Sequence, residues 1–317
     1  MAFIEKIRSA LESLSPRRRY LVGVSGGVDS MVLLTALKNL GYKHLVVCHF
    51  SHGLRPAEAE GEANLVAEAA MRANFAFEHG AGDTGQYAHD EKKSIETAAR
   101  ELRLDFFQTC ARTHRCRRIF LAHHADDQVE TILNNLFRGT GLAGLGGMRN
   151  VSHIGRLDMI RPLLGVSRAD IISYAKAENI AFAEDATNAV PAHTRNKIRL
   201  HLLPAIEKIF GSSAREAVLR MADIAQCEDS FLSMSTPKPE QIILTKNLRP
   251  LHPALRRRAL AVWLREAGIE AGFAEITAVD SLLNVDNPAK INLPSGLHAR
   301  RRAGKIFIEK VKKSKKK

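Results

Sequence analysis

The chain has 317 residues, 45% of them hydrophobic, and 47 Lys and Arg against 34 Asp and Glu give it a net charge of +13. This composition excludes a disordered or fibrous protein, and the length favours two domains over one. The positive surplus favours phosphate-rich partners without proving RNA binding, because six lysines sit in the closing KVKKSKKK, which reads as a disordered tail.

The opening MAFIEKIRSALESL reads as an amphipathic helix rather than a signal peptide, and no run of about 18 uncharged apolar residues follows it. The expectation is a cytoplasmic protein without a membrane partner. Residues 20–24 (YLVGV) form an apolar run that stops at SGGVDS, and MVLLTALKNL follows as a helix, giving strand, glycine loop, helix. The alternation continues with a strand at 45–50 (LVVCHF), a helix through AEAEGEANLVAEAAMRA, a short strand around 75–78, a long helix from about Ser94 and a strand in RIFLAH. Such an order implies an α/β fold, a parallel sheet with helices on both faces and ligands at the carboxyl ends of the strands. Both SGGVDS and HHADDQ fall at such ends.

Beyond RPLL (161–164) the character turns helical, as in SRADIISYAKAEN, and Pro204 with Gly211 punctuates the chain. These marks predict a catalytic domain at 1–210, an accessory domain at 211–310 and a basic tail at 311–317. The accessory part reads as a smaller, mostly helical α+β domain, with helices at 253–266 and near 273–283 and two short strands around GLHARRRAGKIFIEK. The ARRR at 299–302 beside a turn suggests an RNA-facing edge, with a solvated basic hairpin as the plainer alternative. Cys48, Cys110, Cys116 and Cys227 form no CxxC pair and are expected to be free, mostly buried thiols.

The segment Ser25-Gly26-Gly27-Val28-Asp29-Ser30 lies where backbone N–H groups, uncrowded beside two glycines, can converge on a phosphate at a helix N-terminus. It lacks the GK[ST] ending of a Walker A loop. Asp29 would repel a bare phosphate, so Mg²⁺ between the carboxylate and ATP phosphates is the implied cofactor arrangement. The plainer alternative is a glycine turn with Asp29 or Ser30 as a helix cap. SGGVDS resembles the signature of the N-type ATP pyrophosphatases, the PP-loop family, whose members cleave ATP to AMP and pyrophosphate.

The second constellation, His123-His124-Ala125-Asp126-Asp127-Gln128-Val129-Glu130, precedes an apolar stripe of Ile132, Leu133, Leu136 and Phe137. Asp127 and Glu130 could form a capping box; alternatively, imidazole and carboxylates at the mouth of the sheet could stabilise charge, move a proton or hold an amine or metal.

With HFSHGLR, SIETAARELRL, HHADDQVET, RGTGLAGLGGM, RPLL, EDATN and RNKIR in that order, the chain resembles the tRNA(Ile)-lysidine synthetases. The likeness is strong over about 20–203 and looser beyond. It implies an adenine nucleotide alpha-hydrolase-like fold and an enzyme that adenylates C2 of the wobble cytidine in tRNA(Ile) with a CAU anticodon, after which free lysine displaces AMP. By resemblance, Arg100 and His123 would stabilise the α-phosphate, Asp127 and Glu130 would receive lysine, and Arg195 would meet the RNA or the adenylate. Ser51, Leu104 and Val190 stand where the family pattern has Asp, Tyr and Asp. A homodimer is left open. The rivals are another PP-loop enzyme, such as an RNA thiolase or an amidating ligase, and a non-catalytic basic RNA-binding protein. The lack of a CxxC pair and of a glutaminase segment counts against the first rival, and intact Asp29, His123 and Asp127 against the second.

Overall fold

The apolar run at 20–24 forms a strand because both of its faces are covered. Tyr20 and Val22 enter one hydrophobic cluster with Val32, Leu33 and Phe120, whereas Leu21 enters another with Val46, Phe107 and Ile119. A strand buried on both faces reads as a continuous apolar stretch rather than an alternating one. The computed structural model describes residues 3–54, 56–183, 194–270 and 272–310. Two compact units divide the chain, Met1–Ile224 and Ala225–Lys317.

The first unit runs α1 (Phe3–Ala10), β1 (Tyr20–Gly23), α2 (Val28–Asn39), β2 (Leu45–Ser51), α3 (Pro56–Arg72), β3 (Ala76–Ala81), α4 (Thr84–Asp90), α5 (Ile95–Thr113), β4 (Arg118–Phe120), α6 (Ala125–Phe137) and α7 (Leu142–Leu145). It continues with β5 (Val151–Ile154), β6 (Leu157–Ile160), α8 (Arg168–Ala177), α9 (Thr194–Lys197), a π-helical turn at Ile198–Leu202 and α10 (Leu203–Phe210), and the chain leaves the unit within α11 (Ala214–Ser235). Side-chain caps fix several helix starts: Ser94 accepts from the Thr97 N–H before α5, and Ser167 from the Asp170 N–H before α8.

The sheet order is β3-β2-β1-β4-β6-β5. All pairs are parallel except β5 with β6, which form an antiparallel hairpin at the edge. The parallel sheet with flanking helices is the expected one; the edge hairpin was not expected. The chain moves outward from β1 through β2 to β3 and then returns to lay β4 on the other side of β1. Such a reversal opens a crevice at the carboxyl ends of β1 and β4, where ligands bind in open α/β sheets.

The second unit contains β7 (Ile243–Leu244), α12 (Thr245–Leu248), α13 (Pro253–Glu266), α14 (Phe273–Ser281), β8 (Lys290–Leu293), β9 (Leu297–Arg302) and β10 (Lys305–Lys310). Its antiparallel sheet has the order β7-β10-β9-β8, and Leu260, Trp263, Leu264 and Val279 of the helices share a core with Ile243, Leu293, Ala299 and Ile306 of the strands. All four cysteines are free, three of them buried. Among the described residues no helix is long and apolar enough to cross a membrane.

Candidate active site

Strand β2 grips the peptide that enters the glycine loop from both sides. The Val24 N–H donates to the Cys48 carbonyl at 3.0 Å, and the Val24 carbonyl accepts from His49 Nδ1 at 2.9 Å. Gly26 then takes φ +96°, the left-handed region that costs glycine little. Gly27 is the N-cap of α2 and supplies no side-chain acceptor, so neither Asp29 nor Ser30 plays that part. The helix therefore presents its first N–H groups to the loop's concave side. Ser30 folds back instead: its Oγ donates to the Gly27 carbonyl at 2.9 Å and accepts from the Ser25 N–H at 3.1 Å.

Asp29 Oδ1 is buried without a hydrogen-bond partner, and Oδ2 lies 3.7 Å from His124 Nε2. Burial pushes this carboxyl up, opposed by His124 and Arg168. A buried, unpaired carboxylate oxygen beside a phosphate loop is the donor a hard cation takes. Mg²⁺ is commonly bound through one or two carboxylates together with substrate phosphates, so the residues present fit that ion.

At the start of α6, Asp127 Oδ2 accepts from the His124 backbone N–H at 3.0 Å, which caps the helix. Its other oxygen has a different partner, Arg195 Nη2 at 3.0 Å. Glu130, 1% exposed, accepts from Arg195 Nε at 2.7 Å and from Arg199 Nε at 2.5 Å. The i, i+3 spacing thus puts both carboxylates on one face, as the sequence indicates, and two arginines of RNKIR bind that face. Burial would raise the Asp127 carboxyl, but His124 and Arg195 hold it below the usual range. Burial also drives His123 down to about 3, outweighing the pull of Asp127, so its imidazole is neutral. His123 Nδ1 is buried and unpaired.

A cavity of about 790 Å³ opens over the loop, a size suited to a small-molecule ligand. Ser25, Gly27, Val28, Asp29, Ser30 and His123 line it; Gly26 shapes the loop without lining it. Cys48, Phe50, Phe107 and Leu121 give an apolar wall, and Arg103, Arg168 and Arg199 a basic one. A Cβ on Gly23 would stand 3.0 Å from both Leu121 and Phe107, so glycine there lets the apolar wall close on the strand. Arg100 is exposed on α5 and does not line the cavity; Arg103, one turn on, does. Asp127, Glu130 and Arg195 lie outside the lining and reach it through Arg199.

Arg103, Arg168 and Arg199 are the site residues that the sequence did not single out. Two of them carried a signal, since Arg103 and Arg199 follow Arg100 and Arg195 at i+3 and i+4 within motifs already recognised. Ser51 lines the cavity, with its hydroxyl 3.0 Å from His79 Nε2 and 3.4 Å from His49 Nε2. Leu104 packs in the cluster that holds Phe107 and Ile119. The glycine-rich segment at 138–148 is fastened to α6: Gln128 Nε2 donates to the Met148 carbonyl at 2.8 Å, and the Met148 N–H donates to Gln128 Oε1 at 2.7 Å. EDATN, Val190 and the tail lie outside the described residues.

Residues 1–206 match the PP-loop domain family, and residues 245–307 match the TilS substrate binding domain. The tRNA(Ile)-lysidine synthase of Caldanaerobacter subterraneus is 32% identical over 98% of this chain and 69% of its own length. The chain belongs to the tRNA(Ile)-lysidine synthase family. Other lysidine synthases, from Parabacteroides distasonis and Thermus thermophilus, are 35% and 33% identical over 88% and 96% of this chain. The chain spans about 60% of the length of these curated relatives, 61% and 59% respectively. A U34-tRNA thiolase from Methanococcus maripaludis superposes with TM-score 0.58 at 15% identity, over 70% of this chain and 78% of its own, and so shares the fold. Every site residue described above falls within the residues that match the PP-loop domain family, and the match to the TilS substrate binding domain falls within the second unit.

Proposed function

We propose that the chain ligates lysine to C2 of the wobble cytidine of tRNA(Ile) with a CAU anticodon, through an adenylated tRNA, converting ATP to AMP and pyrophosphate. The observation that carries this reading is the convergence of the phosphate loop, Asp29, His123 and Arg199 on one cavity at the β1/β4 crevice. Arg199 is also bound to the carboxylate pair Asp127 and Glu130.

The N–H groups at the start of α2 and the Ser25 hydroxyl cradle the phosphates of ATP, with Ser30 bracing the loop through the Gly27 carbonyl, while the apolar wall takes the base. Mg²⁺, held by Asp29, would offset the negative charge of the phosphates. Cytidine O2 attacks the α-phosphorus and pyrophosphate departs; the former carbonyl oxygen has become part of a phosphate, a good leaving group. Neutral His123 can donate a hydrogen bond to the α-phosphate without bringing a charge, and Arg103 on the cavity wall faces the developing charge, with Arg100, three residues earlier on α5, adding only to the positive field. The lysine amine then attacks C2, AMP leaves with the oxygen, and the amine gives up its proton. Asp127 and Glu130 receive the lysine ammonium once Arg195 and Arg199 turn onto the adenylate's phosphate.

The second unit holds the tRNA, and the basic tail adds contacts to phosphates that do not read sequence. The cytoplasm, where ATP, lysine and tRNA meet, is the location this reading requires. The test is incubation with ATP, Mg²⁺, labelled lysine and either tRNA(Ile) with a CAU anticodon or initiator tRNA(Met). Label on tRNA(Ile) alone is expected. Pyrophosphate release with neither RNA would overturn the reading, and sulfur transfer in place of lysine would favour the thiolase alternative.

A further inference from the structure

The three arginines at 300–302 do not share one role, because successive residues of a strand face opposite sides of the sheet. Ala299 and Ile306 point into the core between sheet and helices. Arg301, on the side of Ala299 and paired in register with Ile306, faces the same way. Its guanidinium donates to the carbonyls of Leu282, Asn284, Val285 and Asn287, which close the end of α14. Arg301 is thus a structural clasp.

The opposite face carries Lys290 on β8, His298, Arg300 and Arg302 on β9, and Lys305 and Phe307 on β10. Phe307 lies directly across from Arg300, and Arg302 from Lys305. Phe307 is absent from the core cluster that Ile306 and Ile308 join. Lys290, Arg302 and Lys305 are exposed, and Arg300 keeps 44% of its side chain exposed although Glu309 pairs with it at 3.0 Å. Four cations therefore share the face of Phe307, with the Glu309 carboxylate beside Arg300. His298 Nδ1 adds a buried polar atom without a partner on the same face.

We propose that this face is a docking surface for a single-stranded segment of RNA, with Phe307 as the platform on which a base stacks and Arg302, Lys305 and Lys290 holding the flanking phosphates. The partner's chemistry follows from the arrangement. A half-buried ring on the sheet face away from the core can take only an unstacked base, and paired RNA offers its backbone and 2′-hydroxyls instead. The proposal rests on the tRNA reading above only for the identity of the RNA; the surface itself is argued from strand register and charge.

The test uses the full chain with two fluorescent RNAs, a stem-loop carrying the tRNA(Ile) anticodon loop and a fully paired duplex of equal length. Phe307→Leu is expected to weaken stem-loop binding roughly tenfold or more at an unchanged Tm, with little effect on the duplex, and Phe307→Tyr to restore it. Arg302→Gln, on an exposed side chain that does not endanger the fold, should lower the salt slope of stem-loop binding by about one. Arg301→Gln should lower Tm, as a clasp does. Folded Phe307→Leu and Arg302→Gln proteins that bind the stem-loop like the parent would overturn the proposal, as would an equal loss of duplex and stem-loop binding. Lysine transfer is read in parallel at saturating tRNA. A parent chain that makes no lysidine but loses stem-loop binding in Phe307→Leu would defeat the proposed function and keep the surface; lysine transfer with silent variants would do the reverse.

Discussion

His49 Nδ1 lies 2.9 Å from the carbonyl oxygen of Val24, the last residue before the phosphate loop. The carbonyl can only accept, so Nδ1 carries the proton, and the ring, 1% exposed, is kept neutral by burial. Replacing it with leucine would leave the Val24 carbonyl buried and unpaired, a cost of about 1–3 kcal/mol. His49→Leu should therefore raise the KM for ATP more than it lowers kcat, as the loop loses its entry angle. His49→Asn, whose amide can reach the same carbonyl, should recover much of the loss. A leucine variant that is less heat-stable yet has the parental ATP KM would reduce His49 to a packing residue.

Asp29→Asn should abolish adenylation with the fold retained, because an amide is a far weaker partner than a carboxylate for a cation facing phosphates. Pyrophosphate release provides the measurement, and circular dichroism the check on folding. A folded Asn variant that releases pyrophosphate at the parental rate would remove Asp29 from the metal role.

Glu130 carries two expectations, since its carboxylate holds Arg195 and Arg199 and is also assigned to lysine. Glu130→Gln should lower Tm, because two partly buried guanidiniums lose their counter-charge. It should also raise the KM for lysine, with loss of a charge-assisted contact of about 1.5–3 kcal/mol. The AMP–tRNA adduct should then accumulate. Rapid-quench assays following AMP on tRNA and lysine incorporation side by side decide the matter. A folded variant that forms no adduct would show that Glu130 works on the nucleotide through its arginines.

His123 gives a pH signature. Its folded pKa, about 3, lies below the ordinary 6.5, so the unfolded chain binds the proton more readily. The stabilising effect of keeping this ring neutral is complete above about pH 6.5 and is lost as pH falls towards about 3. His123→Asn should therefore gain heat stability relative to the parent as pH drops through that window, measured as the difference in Tm at stepped pH. A constant difference across the window would mean that His123 is not buried in the neutral form.

The sequence made the first unit legible where a local pattern and a long-range contact agree. Residues 20–24 read as a strand because both faces of β1 are buried, and Ser94 and Ser167 mark helix starts that their hydroxyls cap. The hairpin of β5 and β6 was not legible. Each strand has four residues, and β5 lies half exposed at the sheet edge, so its apolar periodicity is faint. In the site, the phosphate loop and His123 were legible from a compact motif. Arg168 was not, because a lone arginine at a helix start shows no sign of the cavity that the fold brings to it. The Glu130–Arg199 pair joins residues of two separate motifs, a relation that no spacing within either one displays.

The return of the chain to β1 has a consequence for synthesis. Leu21 pairs with Val46 on one side and with Ile119 on the other. A ribosome delivers the first neighbour early and the second only after α3, β3, α4 and α5 have been made. Throughout that interval β1 offers an open hydrogen-bonding edge flanked by apolar side chains, a template for pairing with other nascent chains. Chaperone dependence and inclusion-body formation during rapid expression should therefore trace to chains stalled before residue 118, and ATP cannot rescue them, because Arg168 and Arg199 of its cavity have yet to be translated.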